Sequence, residues 1–151
     1  MRGLLILSLA LLVLPGCKPK SADKPQIRDA WVRLAAVPGR PAAGYFTIVG
    51  GSKDDRLMRI DSAVVKSIEL HQSSMAGGMM TMKPMANVPV AAGTKVEFAP
   101  SGNHAMLFDV DARITPGTAI PMLFTFSSGA EIEAEAKTVP AAGDDMPGMG
   151  H

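Results

Sequence analysis

The sequence predicts an all-β domain, and three observations predict it. Apolar residues recur in short runs or in strict alternation, the period of a half-buried strand. Glycine- and proline-containing turn pairs stand between those runs, from Pro38-Gly39 to Ser128-Gly129. The only segment whose composition would also suit a helix, Glu131–Lys137, alternates Ile132, Ala134 and Ala136 against Glu131, Glu133 and Glu135, a period of two that a helix does not have.

Taken in order, the first element lies outside the fold. Met1-Arg2 opens with a positive charge, Gly3 to Leu14 is apolar apart from Ser8, and Pro15-Gly16-Cys17 follows. A charged start, an apolar stretch and a small residue before a break make a secretory signal. The apolar stretch falls short of the ~20 residues a membrane-spanning helix needs. Leu14-Pro15-Gly16-Cys17 resembles a lipoprotein box, so residues 1–16 read as a lipoprotein-type signal and Cys17 as the acylated residue. A plain secretory signal with a stray thiol is the simpler alternative, but lipidation explains why the sole cysteine stands at this boundary. Residues 17–26, with the polar run Lys18 to Pro25, read as a solvated tether.

The domain itself is expected over residues 27–139. Strands are predicted at Ile27–Ala35, Gly44–Val49, Arg56–Ile60, Val64–Leu70, Met79–Met85, Lys95–Ala99, His104–Val110, Ile120–Phe126 and Glu131–Lys137. The last is expected at a sheet edge because one of its faces is all glutamate. Trp31, Tyr45 and Phe46 are expected in the core, as are Met58 and Met122, each inside an otherwise apolar run and of the gap-filling type. Asp29 and Arg33 are expected to be exposed. Residues 140–151, from Pro140 through Ala-Ala-Gly-Asp-Asp-Met-Pro-Gly-Met-Gly-His151, carry no core-forming period and read as a flexible tail.

Composition removes several function classes. The 151 residues are enough for one core. Net charge is +1 and no run of five like charges occurs, which argues against nucleic-acid binding through a basic patch. Removal of residues 1–16 deletes Arg2 and no acid, leaving 14 basic residues against 14 acidic ones. One cysteine cannot close an intramolecular disulfide.

What remains distinctive is sulfur and imidazole: 11 methionines against 3 histidines. Alternation puts His104, Met106 and Phe108 on one face of a strand, with Ala105 and Leu107 on the other. Same-face neighbours on a strand are ~7 Å apart at the backbone, close enough for their side chains to share one ion. His71 follows Ile68-Glu69-Leu70 and faces away from Leu70, at the rim beside a Gly-rich loop. Met79, Met80 and Met82 supply thioethers on both faces of the next strand. Imidazole with thioether is a soft ligand set that selects Cu(I). A blue-copper His/Cys/Met centre is disfavoured because Cys17 lies beyond the tether. No carboxylate is expected beside these residues, which counts against a Cu(II)-cycling enzyme.

On these residues the chain resembles the PCuAC periplasmic copper chaperones. That family's signature is His, ten residues, Met, twenty-one residues, then His-x-Met, and His71, Met82, His104 and Met106 fit it without a gap. The surrounding frame is also similar: Asp29-Ala-Trp31-Val-Arg33, Ala42-Ala-Gly-Tyr-Phe46, Ile68-Glu-Leu-His71 and Val90-Ala-Ala-Gly93. One departure is Gln72, where a Met often follows the first His.

The resemblance implies a cupredoxin-like Greek-key β-sandwich that binds Cu(I) through His71, Met82, His104 and Met106. It implies a monomeric, non-enzymatic carrier that serves CuA-site assembly, with cytochrome c oxidase subunit II and a Sco-type thioredoxin-like protein as copper partners. The expected location is the periplasm, at a membrane held through Cys17. Met80 and Met85 are candidate secondary ligands, and Met146, Met149 and His151 in the tail form a weaker set that, with Asp144 and Asp145, could hold Cu(II). A copper buffer or tolerance protein, a copper-dependent redox enzyme and a non-metal lipoprotein with sacrificial methionines are the competing expectations.

Overall fold

A computed structural model describes residues 22–141. Cys17 and the tail residues Met146, Met149 and His151 lie outside the described residues, as do the signal and most of the tether.

Ten strands follow one another, with no helix among the described residues: β1 (Gln26–Arg33), β2 (Ala42–Val49), β3 (Asp55–Asp61), β4 (Val65–Ala76), β5 (Met79–Met85), β6 (Val88–Val90), β7 (Lys95–Phe98), β8 (Asn103–Val110), β9 (Ala119–Phe126) and β10 (Glu131–Val139). They hydrogen-bond in the order β5-β4-β8-β7-β2-β1-β10-β9-β3-β6, and β2 also pairs directly with β8. Most neighbours are antiparallel; β1 with β10 and β7 with β8 are parallel.

The sheet folds over on itself, and the inward residues of its two halves meet. Phe46 on β2 stacks on Phe98 of β7 with ring centroids 4.2 Å apart, and meets the edge of Phe124 from β9 at 4.9 Å. Val32, Ile48, Leu57, Leu107, Ile120 and Phe124 are wholly removed from solvent. Asp55 gathers the β9–β10 turn, accepting from the Ser128 and Ser127 hydroxyls and from the Arg56 and Ser128 N–H groups. Although burial pushes its carboxyl up, those bonds outweigh it and hold the group below the ordinary value.

Several expectations are corrected. Glu131–Lys137 is no edge: β10 lies between β1 and β9. Its alternation records one wet face, not an unpaired side, with Ala136 and Thr138 buried and the three glutamates exposed. The edges are β5 and β6. Strand β6 escapes the sequence reading because it is three residues long with Pro89 at its centre, and proline is tolerated where no ladder donor is needed. Met122 is buried as expected, whereas Met58 is 42% exposed. The register of β3 on β9 slips between Leu57 and Arg59, and that bulge turns Met58 outward. Tyr45 is buried as expected, at 7% exposure, and Trp31 is half-buried, but both lie on the face away from Phe46. Their rings stack on each other at 4.4 Å on the opposite face of β1 and β2, with the Arg33 guanidinium 5.5 Å above Trp31, so Arg33 is half-buried, not free in solvent.

Candidate metal centre

Strand β4 does not stop before His71. It continues to Ala76 and returns as β5 through Gly77-Gly78, whose φ angles of 58° and 78° are left-handed at both positions. That is the two-residue turn whose twist matches a hairpin, and glycine adopts it without strain. The short turn fixes the register of β5 on β4: Met75 faces Met80, Ser73 faces Met82 and His71 faces Pro84. On its other side β4 pairs with β8, where His71 faces His104 and Glu69 faces Met106.

All four sequence-predicted ligands therefore share one face of β5-β4-β8. The opposite face of the same residues is core, with Leu70, Ala105 and Leu107 buried. His71 and His104 are directly opposite, ring centroids 5.9 Å apart and planes within 29°. Met106 follows His104 two residues on, and Met82 is the diagonal neighbour of His71 on β5, a spacing long side chains span. Met82 is 57% exposed, leaving its thioether free to swing. Met80 lies on this face nearer the turn. Met85 does not: it faces Leu70 and packs against the core, so it is removed from the secondary set.

Hydrogen bonds fix which imidazole nitrogen is available. His71 Nε2 is 2.9 Å from a Glu69 carboxylate oxygen. A carboxylate only accepts, so neutral His71 carries its proton on Nε2 and leaves its lone pair on Nδ1. That Nδ1 is buried with no hydrogen-bond partner, an orphan position that costs free energy unless an ion or donor fills it. His104 Nδ1 donates to the Gly102 carbonyl at 3.1 Å, which leaves Nε2 as the lone pair. The donor chemistry fits a soft monovalent ion: two imidazole nitrogens and two thioethers, all neutral.

Glu69 is the residue that sequence reading missed, and it corrects the expectation that no carboxylate stands beside the histidines. The signal was available, since Glu69 and His71 are two apart on one strand and must share a face. Its place is behind the imidazole, where a carboxylate can orient a histidine ring. Among the described residues no group of three or more His, Cys, Asp or Glu is placed to hold a metal, so a metal here needs the methionines.

Comparison with known proteins bears on the same region. The model of the family described as "Putative lipoprotein LpqE-like" matches residues 26–138. The "Putative lipoprotein Lxx21020" of Leifsonia xyli subsp. xyli is 32% identical over 111 residues, covering 73% of this chain, and the chain spans 66% of that protein's length. Among solved structures, the copper-bound PCuAC domain from PmoF2 superposes with a TM-score of 0.65 at 22% identity, covering 80% of this chain and 96% of that one. Apo-DR1885 from Deinococcus radiodurans gives 0.57 at 17% identity, over 92% and 95% of the two chains. At these identities the likeness is one of fold: an all-β, cupredoxin-like sandwich of the PCuAC type.

Proposed function

The chain belongs to the LpqE-like family, and on that footing we propose that it is an extracytoplasmic copper(I) carrier, held at a membrane through an acylated Cys17. The ion is its cargo, taken by His71 Nδ1, His104 Nε2 and the sulfurs of Met82 and Met106. The observation that carries this reading is the pair of facing imidazoles on one sheet face, His104 buried and His71 half-buried with an unpartnered Nδ1. The similarity to PCuAC domains, one of them a copper-bound form and another the Cu(I) form of DR1885, supports the same reading.

Neutral donors suit transport. Cu(I) needs no compensating negative charge from this ligand set, and a dithiolate acceptor of the CuA kind holds the ion more strongly, so transfer runs toward the acceptor. Cytochrome c oxidase subunit II and a Sco-type protein are the partners of that chemistry. Storage as a copper buffer uses the same site. A redox enzyme is the second reading, and Glu69 is what favours it, since Cu(II) prefers oxygen and nitrogen donors. Against it, the oxygen nearest the site already accepts from His71 Nε2, which makes Glu69 an orienting group for a non-enzymatic carrier.

The test is an anaerobic Cu(I) titration against a chelator of known strength, with native mass spectrometry for stoichiometry. A colourless, diamagnetic complex that is lost in acid is expected, because both imidazoles must be neutral to bind. A visible Cu(II) spectrum with turnover supports the enzyme, and indistinguishable titrations of the parent and His104→Ala overturn the site. Fractionation tests the anchor: Cys17→Ser should leave the membrane fraction or stall in processing, and equal partitioning of both forms would remove the lipid from the proposal.

A further inference from the structure

Beyond the four-ligand site, the same sheet face carries a run of sulfur toward the tip of the β4–β5 hairpin. Met75 and Met80 face each other directly, and Met82 is one rung further in, opposite Ser73. Exposure is 65% for Met75, 53% for Met80 and 57% for Met82. Apolar side chains of this size are ordinarily covered, so their common display on a two-stranded tip calls for a reason.

Backbone geometry brings the first pair close. Ser73 donates its N–H to the Gly102 carbonyl at 3.1 Å, so the odd-numbered residues of β4 turn their backbone groups toward β8. Met75 and Met80 then form a non-hydrogen-bonded pair, the type in which side chains approach most closely, with Cα atoms ~4.5 Å apart. The Gly77-Gly78 turn, left-handed at both residues, holds that register. Met79 points to the other face with Thr81 and is not part of the cluster.

We propose that Met75, Met80 and Met82 form a second Cu(I) site made of thioethers alone, and that Met82 serves both sites. As to transfer, this rests on the carrier reading above; the thioether site stands without it. Three neutral sulfurs with no carboxylate or imidazole on their rungs take Cu(I) or Ag(I) and have little affinity for hard cations. Met82 is the diagonal neighbour of Met75 on one side and of His71 on the other, so an ion can keep its bond to Met82 throughout. The bonds to the Met75 and Met80 sulfurs break as bonds to His71 Nδ1 and His104 Nε2 form. Copper remains Cu(I), and no proton moves, because both nitrogens already carry free lone pairs. The hairpin tip thereby becomes the entry for cargo.

The experiment follows methionine methyl and histidine ring resonances by NMR in the full chain with Cys17→Ser, adding Ag(I) as a redox-inert probe and Cu(I) under anaerobic conditions. In a variant carrying His71→Ala and His104→Ala, the first equivalent should shift the Met75, Met80 and Met82 methyls. In the parent at neutral pH the first equivalent should shift both histidine rings with Met82 and Met106, and the second should shift Met75 and Met80. The exposed pair changed by Met75→Leu and Met80→Leu should fold normally and lose one equivalent. Met75 and Met80 methyls that stay unmoved in both the parent and the histidine variant overturn the second site. Shifts at Met75 and Met80 with both rings unmoved at neutral pH would keep that site while overturning the carrier site and the transfer between them.

Discussion

Strand β4 passes through two environments, and they use the same alternation differently. From Val65 to Gln72 it lies against β8, where one face is core and the other is the donor face, so Leu70 is buried beside a half-buried His71. From Ser73 to Ala76 the only strand paired with it is β5, apart from the Ser73 N–H bond to the Gly102 carbonyl, and there both faces are wet. In the first stretch an outward residue is backed by a rigid interior and held by hydrogen bonds; in the second it is merely displayed. The proposed metal centre sits where one regime gives way to the other. Its histidines belong to the anchored stretch and Met82 to the free one, which makes the site rigid on one side and adaptable on the other.

The largest effect should come from exchanging roles across a single peptide unit of β8. Leu107→Ala empties a fully buried position and should cost about 2–5 kcal/mol of stability, read by urea or thermal unfolding. Met106→Leu on the facing side should cost less than about 1.5 kcal/mol while weakening Cu(I) strongly. If Met106→Leu destabilised as much as Leu107→Ala, the two faces would not differ as described.

A smaller effect is expected at Glu69. Glu69→Gln keeps the shape but no longer presents an acceptor-only group to His71 Nε2, and loss of such an orienting carboxylate typically costs about 10–100-fold in metal affinity. Stability should hardly change, since the Glu69 side chain is 55% exposed. An unchanged Cu(I) affinity in this variant would make the Glu69–His71 contact incidental.

The smallest effect belongs to the end of the molecule away from the hairpin. Arg113 hydrogen-bonds the Asp111 carboxylate and holds it at about 2, against an ordinary value of 3.8. A lowered folded value stabilises above the unfolded one, so the contribution is complete above pH 3.8 and disappears as pH falls through about 2. Asp111→Asn should lower Tm slightly at neutral pH, with the gap to the parent closing in acid and copper binding untouched. A gap that does not narrow would assign the effect to something other than the Arg113 pair.

Much of this was legible in the sequence, for a physical reason. Alternation is a property of single strands, so Ala105 and Leu107 against His104 and Met106 could be read without knowing any neighbour. What depends on neighbours could not. The place of Glu131–Lys137 in the sheet, the bulge that expels Met58 and the face that Trp31 and Tyr45 take are set by pairing partners distant in sequence. Ser73–Ala76 is small and polar, and it becomes strand only because Gly77-Gly78 folds β5 back upon it. Glu69 was legible too, since alternation alone puts it on the face of His71.

Pro84 stands opposite His71 on the outermost strand. Since His71 turns its backbone toward β8, the pair is of the non-hydrogen-bonded type, and the nitrogen of Pro84 lies on the outer, unpaired margin of β5. That margin lacks a donor at the level of the imidazoles, and Lys83 adds a charge beside it. Proline and lysine on an outermost strand are the usual means of discouraging edge-to-edge growth. Extension of the sheet by a second chain is therefore disfavoured past this point, and the rim that displays so much uncovered sulfur is guarded against self-association by a proline that offers no backbone donor.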